Sequence, residues 1–243
     1  MIYHSLFDVS LLLISRKAIG IWRKYLHNFS EVYQAMNKGV FITFEGIDGC
    51  GKTLMQKKTE KWLQDKGYTV LTTREPGGSD LGLRFREMLL DSAYGSVDPT
   101  TETLMFMADR SRHVAEIILP ALNRGEIVLC DRYTDSTAAY QGGGSGLSME
   151  QINTLNDFAV SGLYPDLTLV LQLPLTEAAK RLHGEKDRME QEDADFFSRV
   201  SAAYEDIARA EPQRVRLIDA SVGVEEVFAQ IKAAVTELLS VRG

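Results

Sequence analysis

The chain has 243 residues, of which 44% are hydrophobic and 25% are charged. These values are ordinary for a water-soluble globular protein and give enough apolar material for the core of one α/β domain. The net charge of −7 argues against a general nucleic-acid binder, because such proteins carry an excess of basic residues.

The composition also bears on where the protein resides. The longest apolar run, residues 9–14, is far too short to span a membrane. The two cysteines, Cys50 and Cys130, have neither metal-ligand nor redox spacing, and both fall in segments that are predicted to be buried. We therefore expect structural thiols, a reducing compartment and a cytoplasmic protein without a membrane partner.

Residues 1–38 precede the first predicted strand and are expected to form an extension outside the domain. Met36 and the residues after it look like a natural start just before residue 40. Two interpretations of residues 1–35 stay open: they are upstream translation, or they form an additional helical arm. The domain itself is predicted to span residues 39–243.

From residue 39 onward, short β-branched segments alternate with longer segments of helical periodicity, which predicts βαβ units. The predicted strands are 40–44, 68–73, 127–130, 167–173 and 215–218. The predicted helices are 51–66, 83–90, 99–123 with a bend at Pro120, one that begins at a Ser148 capping box, and 224–239. The glycine-rich segment 142–146 is expected to be a mobile loop. The fold class is therefore α/β, with a doubly wound five-stranded parallel sheet flanked by helices.

Between the first strand and the first helix, the sequence G-I-D-G-C-G-K-T at 46–53 fits the phosphate-binding pattern G-x-x-x-x-G-K-[ST]. Its glycines let backbone N–H groups turn toward phosphate oxygens, and the helix N-terminus adds positive potential there. Lys52 is expected to reach the β- and γ-phosphates of a nucleotide, and the Thr53 hydroxyl to ligate Mg²⁺. The residues of this P-loop are Gly46, Ile47, Asp48, Gly49, Cys50, Gly51, Lys52 and Thr53.

Asp131 follows the fully apolar strand 127–130, so we expect its carboxylate at the carboxyl edge of the sheet, beside the P-loop. In P-loop enzymes an aspartate in this place holds Mg²⁺ or its water shell. The sequence therefore predicts Mg²⁺ as the cofactor, with Thr53 and Asp131 as the metal residues. A GTPase is disfavoured because the chain lacks an N/T-K-x-D motif.

A series of motifs follows the P-loop: T-R-E-P-G-G at 73–78, L-M-F-x-A-x-R at 104–110, D-R-Y at 131–133, S-T-x-A-Y-Q-G-G at 136–143, Y-P-D-L-T at 164–168 and D-R-x-E at 187–190. In this combination the chain resembles the bacterial thymidylate kinases from about residue 39 to its C-terminus. The resemblance implies that ATP binds the P-loop and that its γ-phosphoryl group passes to dTMP, giving ADP and dTDP with Mg²⁺. It also implies a homodimer, which the apolar helix at 104–119 would serve unless that face is buried in the core.

The resemblance further implies roles around the acceptor nucleotide. Arg132 is expected to bind the acceptor phosphate through its guanidinium fork. Phe106 is expected to stack on thymine, although a core position is the usual alternative for a helical phenylalanine. Arg110, one helical turn on, offers only donors and so favours the O4 acceptor of thymine over the N4 amino group of cytosine. Tyr140 is expected to close over the sugar and crowd a 2′-hydroxyl. The remaining predicted dTMP residues are Asp48, Arg74, Ser136 and Thr137.

The family divides into members with a basic residue in the P-loop and members whose lid supplies it. Because residues 47–50 contain no cation, a short lid at about 181–192 is expected to supply one that neutralises charge during transfer. Arg181, Lys186 and Arg188 are the candidates. The predicted catalytic residues are Lys52, Arg132, Asp48 and Arg188.

Two alternatives to this function are weighed against it. The chain could be another nucleoside monophosphate kinase, which the pairing of Arg110 with Tyr140 disfavours. It could instead be a nucleotide-binding regulator without catalysis, which the intact Lys52, Asp131 and Arg132 disfavour. A panel of acceptor nucleotides separates the first alternative, and acceptor-dependent ADP formation excludes the second.

Overall fold

The computed structural model describes residues 39–182 and 187–242, so the predicted extension at 1–38 lies outside the described residues. Five parallel strands form one sheet in the order β2-β3-β1-β4-β5. The strands are β1 (Val40–Glu45), β2 (Val70–Arg74), β3 (Ile127–Asp131), β4 (Leu167–Gln172) and β5 (Val215–Asp219). The predicted α/β class and the five-stranded parallel sheet are confirmed.

Helices cover both faces of this sheet. Within the described residues they are α1 (Lys52–Asp65), α2 (Asp80–Leu90), α3 (Pro99–His113), α4 (Leu119–Asn123), α5 (Thr134–Thr137), α6 (Met149–Val160), α7 (Leu175–Arg181), α8 (Ala194–Ala210) and α9 (Val224–Arg242). Two π-helical stretches, Val114–Ile118 and Ala138–Gly144, join α3 to α4 and extend α5. No helix in the described part of the chain is both long and apolar enough to cross a bilayer.

The central strands are apolar on both faces because both faces are covered. Phe41 and Val128 pack into a cluster with the segment that runs from Val114 to Leu122. Their neighbours Ile42 and Leu129 point the other way, into a larger cluster that includes side chains of α1, α8 and α9. Burial on both sides explains why neither β1 nor β3 alternates between apolar and exposed polar residues.

The expectation of a mobile loop at 142–146 is wrong for most of that segment. Gly142, Gly143 and Gly144 continue the helical stretch Ala138–Gly144 and pack tightly. A Cβ atom on Gly143 would lie 2.6 Å from Cβ of Ala203, and one on Gly144 would lie 2.5 Å from the ring of Phe196. At Gly143 and Gly144, α8 passes too close for any side chain, a tertiary reason that composition does not reveal.

Several element boundaries also differ from the prediction. Helix α2 begins at Asp80 rather than at 83, because the Ser79 hydroxyl accepts a hydrogen bond from the N–H of Gly82. Helix α6 begins after Ser148 as predicted, but the Ser148 side chain makes no capping bond. The predicted helix 99–123 is continuous and widens to π geometry just before Pro120, which lacks an N–H to donate. The sequence pattern missed α7 and α8.

The strand order determines where a site can form. The chain passes from β1 to β2 and β3 on one side, and then crosses to β4 and β5 on the other. The direction of winding therefore reverses about β1, and the carboxyl ends of β1, β3 and β4 border a crevice. The P-loop and Asp131 both lie at this edge.

A buried ion pair fixes α5 beneath this crevice. Arg214 donates to both carboxylate oxygens of Asp135, at 2.7 and 2.9 Å, and Thr168 donates to the same carboxylate at 2.9 Å. The two charged side chains are only 14% and 7% exposed. Arg214 also contacts Glu211, whose side chain is 54% exposed.

We predict that Asp135→Ala lowers the free energy of unfolding by about 3 kcal/mol, because it leaves the buried Arg214 charge unpaired. Glu211→Ala removes the exposed partner of the same arginine and is expected to cost less than about 1 kcal/mol. Urea unfolding of the two variants measures the difference. Equal losses would show that the buried pair does not hold α5.

Candidate active site

The P-loop turns between β1 and α1 on glycines that no other residue can replace. Gly49 has a φ of 80°, and a Cβ atom there would lie 2.6 Å from the carbonyl oxygen of Ala178. Gly46 has a φ of 125°, and its Cβ would lie 2.5 Å from the carbonyl oxygen of Leu171. Both positions combine a left-handed backbone with close backbone contact, so only glycine fits.

Lys52 lies inside this loop. Its ammonium group donates to the carbonyl oxygens of Gly46 and Ile47, each at 3.0 Å, and lies 3.6 Å from the carboxylate of Asp48. The lysine is buried, so its charge is balanced by the loop itself. A phosphate placed against the loop would find a cation already positioned at the N-terminus of α1.

The two predicted metal residues lie together. The Thr53 hydroxyl donates to Oδ2 of Asp131 at 3.0 Å, at the mouth of the cleft that the P-loop lines. Residues 39–182 and 187–242 contain no cluster of three or more His, Cys, Asp or Glu side chains suited to a metal. Two oxygen donors nevertheless fit Mg²⁺, because Mg²⁺ usually takes one or two protein ligands and completes its shell with water and phosphate oxygens.

Arg132 connects the P-loop to a second pocket. Its guanidinium group donates to the carbonyl oxygen of Gly46 at 3.1 Å and to Asp48 at 2.7 Å. It also donates to the hydroxyls of Ser136 at 3.2 Å and Tyr140 at 3.1 Å. Its φ of 72° is unusual for a side-chain-bearing residue, and backbone strain of this kind concentrates at functional sites.

The charge of Asp48 is shaped by the same two cations. Burial alone would raise its pKa, but the positive charges of Arg132 and Lys52 hold the pKa of the Asp48 carboxyl well below its usual range. Asp48 is therefore an anion that keeps both cations in place. An incoming phosphate carries the charge needed to take over either partner.

The second pocket, here named the Phe106 pocket, adjoins the P-loop cleft at Arg132. It contains every predicted dTMP residue except Arg74, which lines the P-loop cleft instead. The predicted residues that line it are Asp48, Phe106, Arg110, Arg132, Ser136, Thr137 and Tyr140. The structure thus brings together most of a set that the sequence scatters over more than 90 positions.

Arg110 is almost entirely occupied by the protein. Its Nε donates to Glu75 at 2.7 Å, and its Nη1 donates to Thr137 at 3.0 Å and Asn156 at 2.7 Å. Its Nη2 donates to the carbonyl oxygen of Tyr133 at 2.9 Å. A guanidinium group has five N–H bonds, so one Nη2–H has no acceptor among the described residues. That donor belongs to a side chain that lines the Phe106 pocket.

The three candidate lid cations differ in position. Arg181, at the end of α7, lines the P-loop cleft with Lys52 and Asp131. Arg188 is buried and pairs with Glu102 instead. Lys186 lies outside the described residues.

Arg86 was missed by the sequence reasoning. It lines both the P-loop cleft and the Phe106 pocket and donates to the carbonyl oxygen of Pro76 at 3.1 Å. Burial and the nearby charge of Arg74 lower its pKa. Its position could have been inferred from helical spacing. Arg86 lies four residues after Gly82 and three before Leu89, both of which are buried, so it lies on the inner face of α2.

Glu45, at the end of β1, is a buried carboxyl group that contacts Ser136 of the Phe106 pocket. It accepts hydrogen bonds from the N–H of Tyr133 at 2.7 Å and from the hydroxyls of Ser136 at 2.5 Å and Tyr204 at 2.9 Å. Burial, with a smaller contribution from Asp135, raises the pKa of Glu45 to about 7.

The comparisons with known proteins agree on one family. The model of the family "Thymidylate kinase" matches residues 44–231. The thymidylate kinase of Bifidobacterium longum (strain DJO10A) is 46% identical over 203 residues, covering 82% of this chain and 98% of that protein. That of Desulfovibrio desulfuricans is 44% identical over 214 residues, covering 84% of this chain and 98% of that protein. The crystal structure of thymidylate kinase from Ehrlichia chaffeensis superposes with a TM-score of 0.69 at 33% identity, covering 82% of this chain and 98% of that one.

We predict that the stability gap between the wild type and Glu45→Gln depends on pH. A raised pKa means that the folded protein binds a proton at Glu45 more readily than the unfolded chain does. This stabilisation is full below pH 4.5 and is lost as the pH rises to about 7. Urea unfolding from pH 4.5 to 8 should show the wild type losing stability relative to Glu45→Gln up to about pH 7, with no further change above it. A constant gap would contradict the raised pKa.

Proposed function

Because the chain belongs to the thymidylate kinase family and is therefore an ATP-dependent nucleotide kinase, we propose that it transfers the γ-phosphoryl group of ATP to dTMP, giving dTDP and ADP. The observation that carries the proposal is the position of Arg132. One guanidinium group contacts the P-loop at Gly46 and lines the pocket that holds Phe106 and Arg110. A phosphate held by Arg132 would face a phosphate held by Lys52 across Asp48.

The donor side of the site is the P-loop. Lys52 binds the β- and γ-phosphates in place of the carbonyl oxygens that it now contacts. Thr53 and Asp131 would hold Mg²⁺. When bound, Mg²⁺ neutralises charge on the phosphates of ATP. Transfer then requires positioning and charge neutralisation rather than a general base.

The acceptor side is the Phe106 pocket. Arg132 and Arg86 bind the 5′-phosphate, with Ser136 close to Arg132. Phe106 stacks on the base, and the remaining N–H of Arg110 donates to O4 of thymine.

Tyr140 stands beside Arg132, with its hydroxyl 3.1 Å from the guanidinium group and its ring 4.9 Å from it. From that position it crowds a 2′-hydroxyl and favours deoxyribose. Arg74, although predicted to bind dTMP, lines the P-loop cleft and is assigned to the phosphates.

The lid cation is assigned to Arg181 among the three candidates. Arg181 lines the P-loop cleft, whereas Arg188 is held by Glu102 away from it. A cation at Arg181 can neutralise charge that develops on the transferred phosphoryl group. The homodimer and the cytoplasmic location remain predictions. For the dimer, the feature of α3 that bears on it is Leu104, an apolar side chain that is half exposed. Met107, on the same helix, is buried in the protein and is not available to a partner.

We predict that Mg²⁺-dependent ADP release from ATP is fastest with dTMP when dTMP, dUMP, UMP, CMP, AMP and GMP are offered separately. Lys52→Ala is expected to lower kcat with dTMP at least about 1,000-fold, because the γ-phosphate loses its cation. Arg132→Ala is expected to raise the KM for dTMP at least about tenfold as well as lowering kcat. The matched controls are Lys61→Ala and Arg124→Ala, which remove exposed cations outside the site.

Each alternative function gives a different result in this panel. A preference for another monophosphate would identify a different nucleoside monophosphate kinase and contradict the roles of Arg110 and Tyr140. ATP binding without acceptor-dependent ADP release would indicate a regulator without catalysis.

A further inference from the structure

A buried carboxylate, Glu102 on α3, lies behind the Phe106 pocket and accepts from two side chains. Its Oε1 accepts a hydrogen bond from Nε2 of Gln141 at 2.7 Å. Its Oε2 accepts from Nη2 of Arg188 at 2.5 Å. Glu102, Gln141 and Arg188 are all buried. Gln141 lines the Phe106 pocket, and Arg188 lies between Asp187 and Met189, which line it too.

The chemistry of Glu102 determines which end of the Gln141 amide faces it. Oε1 of Glu102 accepts from Nε2 of Gln141, so Gln141 turns its NH₂ group toward Glu102. Its carbonyl oxygen then points away from Glu102. No described residue donates to that oxygen, and the side chain that carries it lines the Phe106 pocket, so the oxygen is left for a ligand there.

Arg188 fixes the side chain of Glu102 through its other carboxyl oxygen. A guanidinium group is always charged and only donates, so it requires an acceptor opposite it. Arg188 is itself fixed by a second bond, from its Nε to the carbonyl oxygen of Leu89 at 2.8 Å. The buried guanidinium group therefore holds the carboxyl group of Glu102 in place through its Oε2.

The result is a pair of complementary groups on the pocket wall. Arg110 contributes one free N–H donor, and Gln141 contributes one carbonyl acceptor. Thymine presents the matching pair, an O4 acceptor beside an N3–H donor. Cytosine presents the reverse, an N4 amino donor beside an N3 acceptor, and would face both groups with the wrong polarity.

We propose that Glu102, held by Arg188, is a positioning residue that fixes the amide of Gln141 with its oxygen toward the base and so sets the preference for a pyrimidine that carries O4 and N3–H. The inference rests on the proposed function, since it concerns the base of the acceptor nucleotide. It also gives Arg188 a role other than the predicted one in transfer.

The decisive variant is Glu102→Gln, which is expected to reverse the amide. Arg188 will attract the single carbonyl oxygen of the new glutamine, whose NH₂ group then faces Gln141. The amide oxygen of Gln141 must then accept a hydrogen bond from that NH₂ group, which turns the NH₂ group of Gln141 toward the base. Calorimetry with dTMP and dCMP should show the ratio of Kd for dCMP to Kd for dTMP falling at least about tenfold.

The double variant Glu102→Gln with Arg188→Met separates positioning from stability. Without the guanidinium group, the new glutamine is free to turn its oxygen back toward Gln141. The ratio of the two Kd values should therefore recover toward the wild-type value, although a second buried polar contact is lost. If Glu102 and Arg188 only stabilised the fold, the ratio of the two Kd values would instead fall further in the double variant.

The matched control is Asp166→Asn, which alters a partly buried acidic residue paired with Arg242 at the opposite end of the sheet. It should leave the ratio unchanged. An unchanged ratio in Glu102→Gln would overturn the inference, and so would a double variant with no recovery.

A wild-type measurement keeps the proposal testable if the variants do not fold. A dTMP analogue methylated at N3 has no N3–H and should bind at least about tenfold more weakly than dTMP. Equal binding would overturn the inference whatever the variants do. Failure of the proposed function is recognised separately, because the wild type would then show no preference for dTMP over the other monophosphates.

Discussion

The ion pair between Asp48 and Arg132 is the interaction on which the rest of the site depends. Asp48 belongs to the P-loop, whereas Arg132 follows β3 and lines the Phe106 pocket. The pair exists because the strand order brings the carboxyl ends of β1 and β3 together and because Arg132 adopts a left-handed backbone. It joins the P-loop to the Phe106 pocket, and Asp48 balances Lys52 and Arg132, two cations that would otherwise repel each other.

Around this pair, the walls of the site contain buried charged side chains that are hydrogen-bonded to other residues of the protein. Glu75 accepts from both Arg110 and His113, and Glu102 accepts from both Gln141 and Arg188. Such networks restrict each side chain to one orientation, since breaking any member leaves a buried charge unpaired. What remains for a ligand is a small number of donors and acceptors whose polarity is fixed before binding. That arrangement suits recognition of one base among several of similar size.

The residues that sequence reasoning located are those whose position follows from local pattern. Lys52 and Thr53 start a helix and Asp131 ends a strand, so parallel topology alone brings them to one edge of the sheet. Phe106 and Arg110 were located through the resemblance to the thymidylate kinases, and helical spacing adds only that both lie on one face of the helix. In contrast, the role of Glu102 depends on residues 39 and 86 positions away, and no local pattern reports that contact. The helical packing of Gly143 and Gly144 was missed for the same reason, because α8 rather than the segment itself determines it.

In the proposed function Lys52 and Arg132 bind different phosphates, although Asp48 contacts both side chains. Calorimetric titration of dTMP in the absence of ATP tests it most directly. If Arg132 belongs to the acceptor side and Lys52 to the donor side, Arg132→Ala should weaken dTMP binding at least about tenfold, while Lys52→Ala should change it by no more than about threefold. Equal losses in the two variants, or a larger loss in Lys52→Ala, would contradict the assignment.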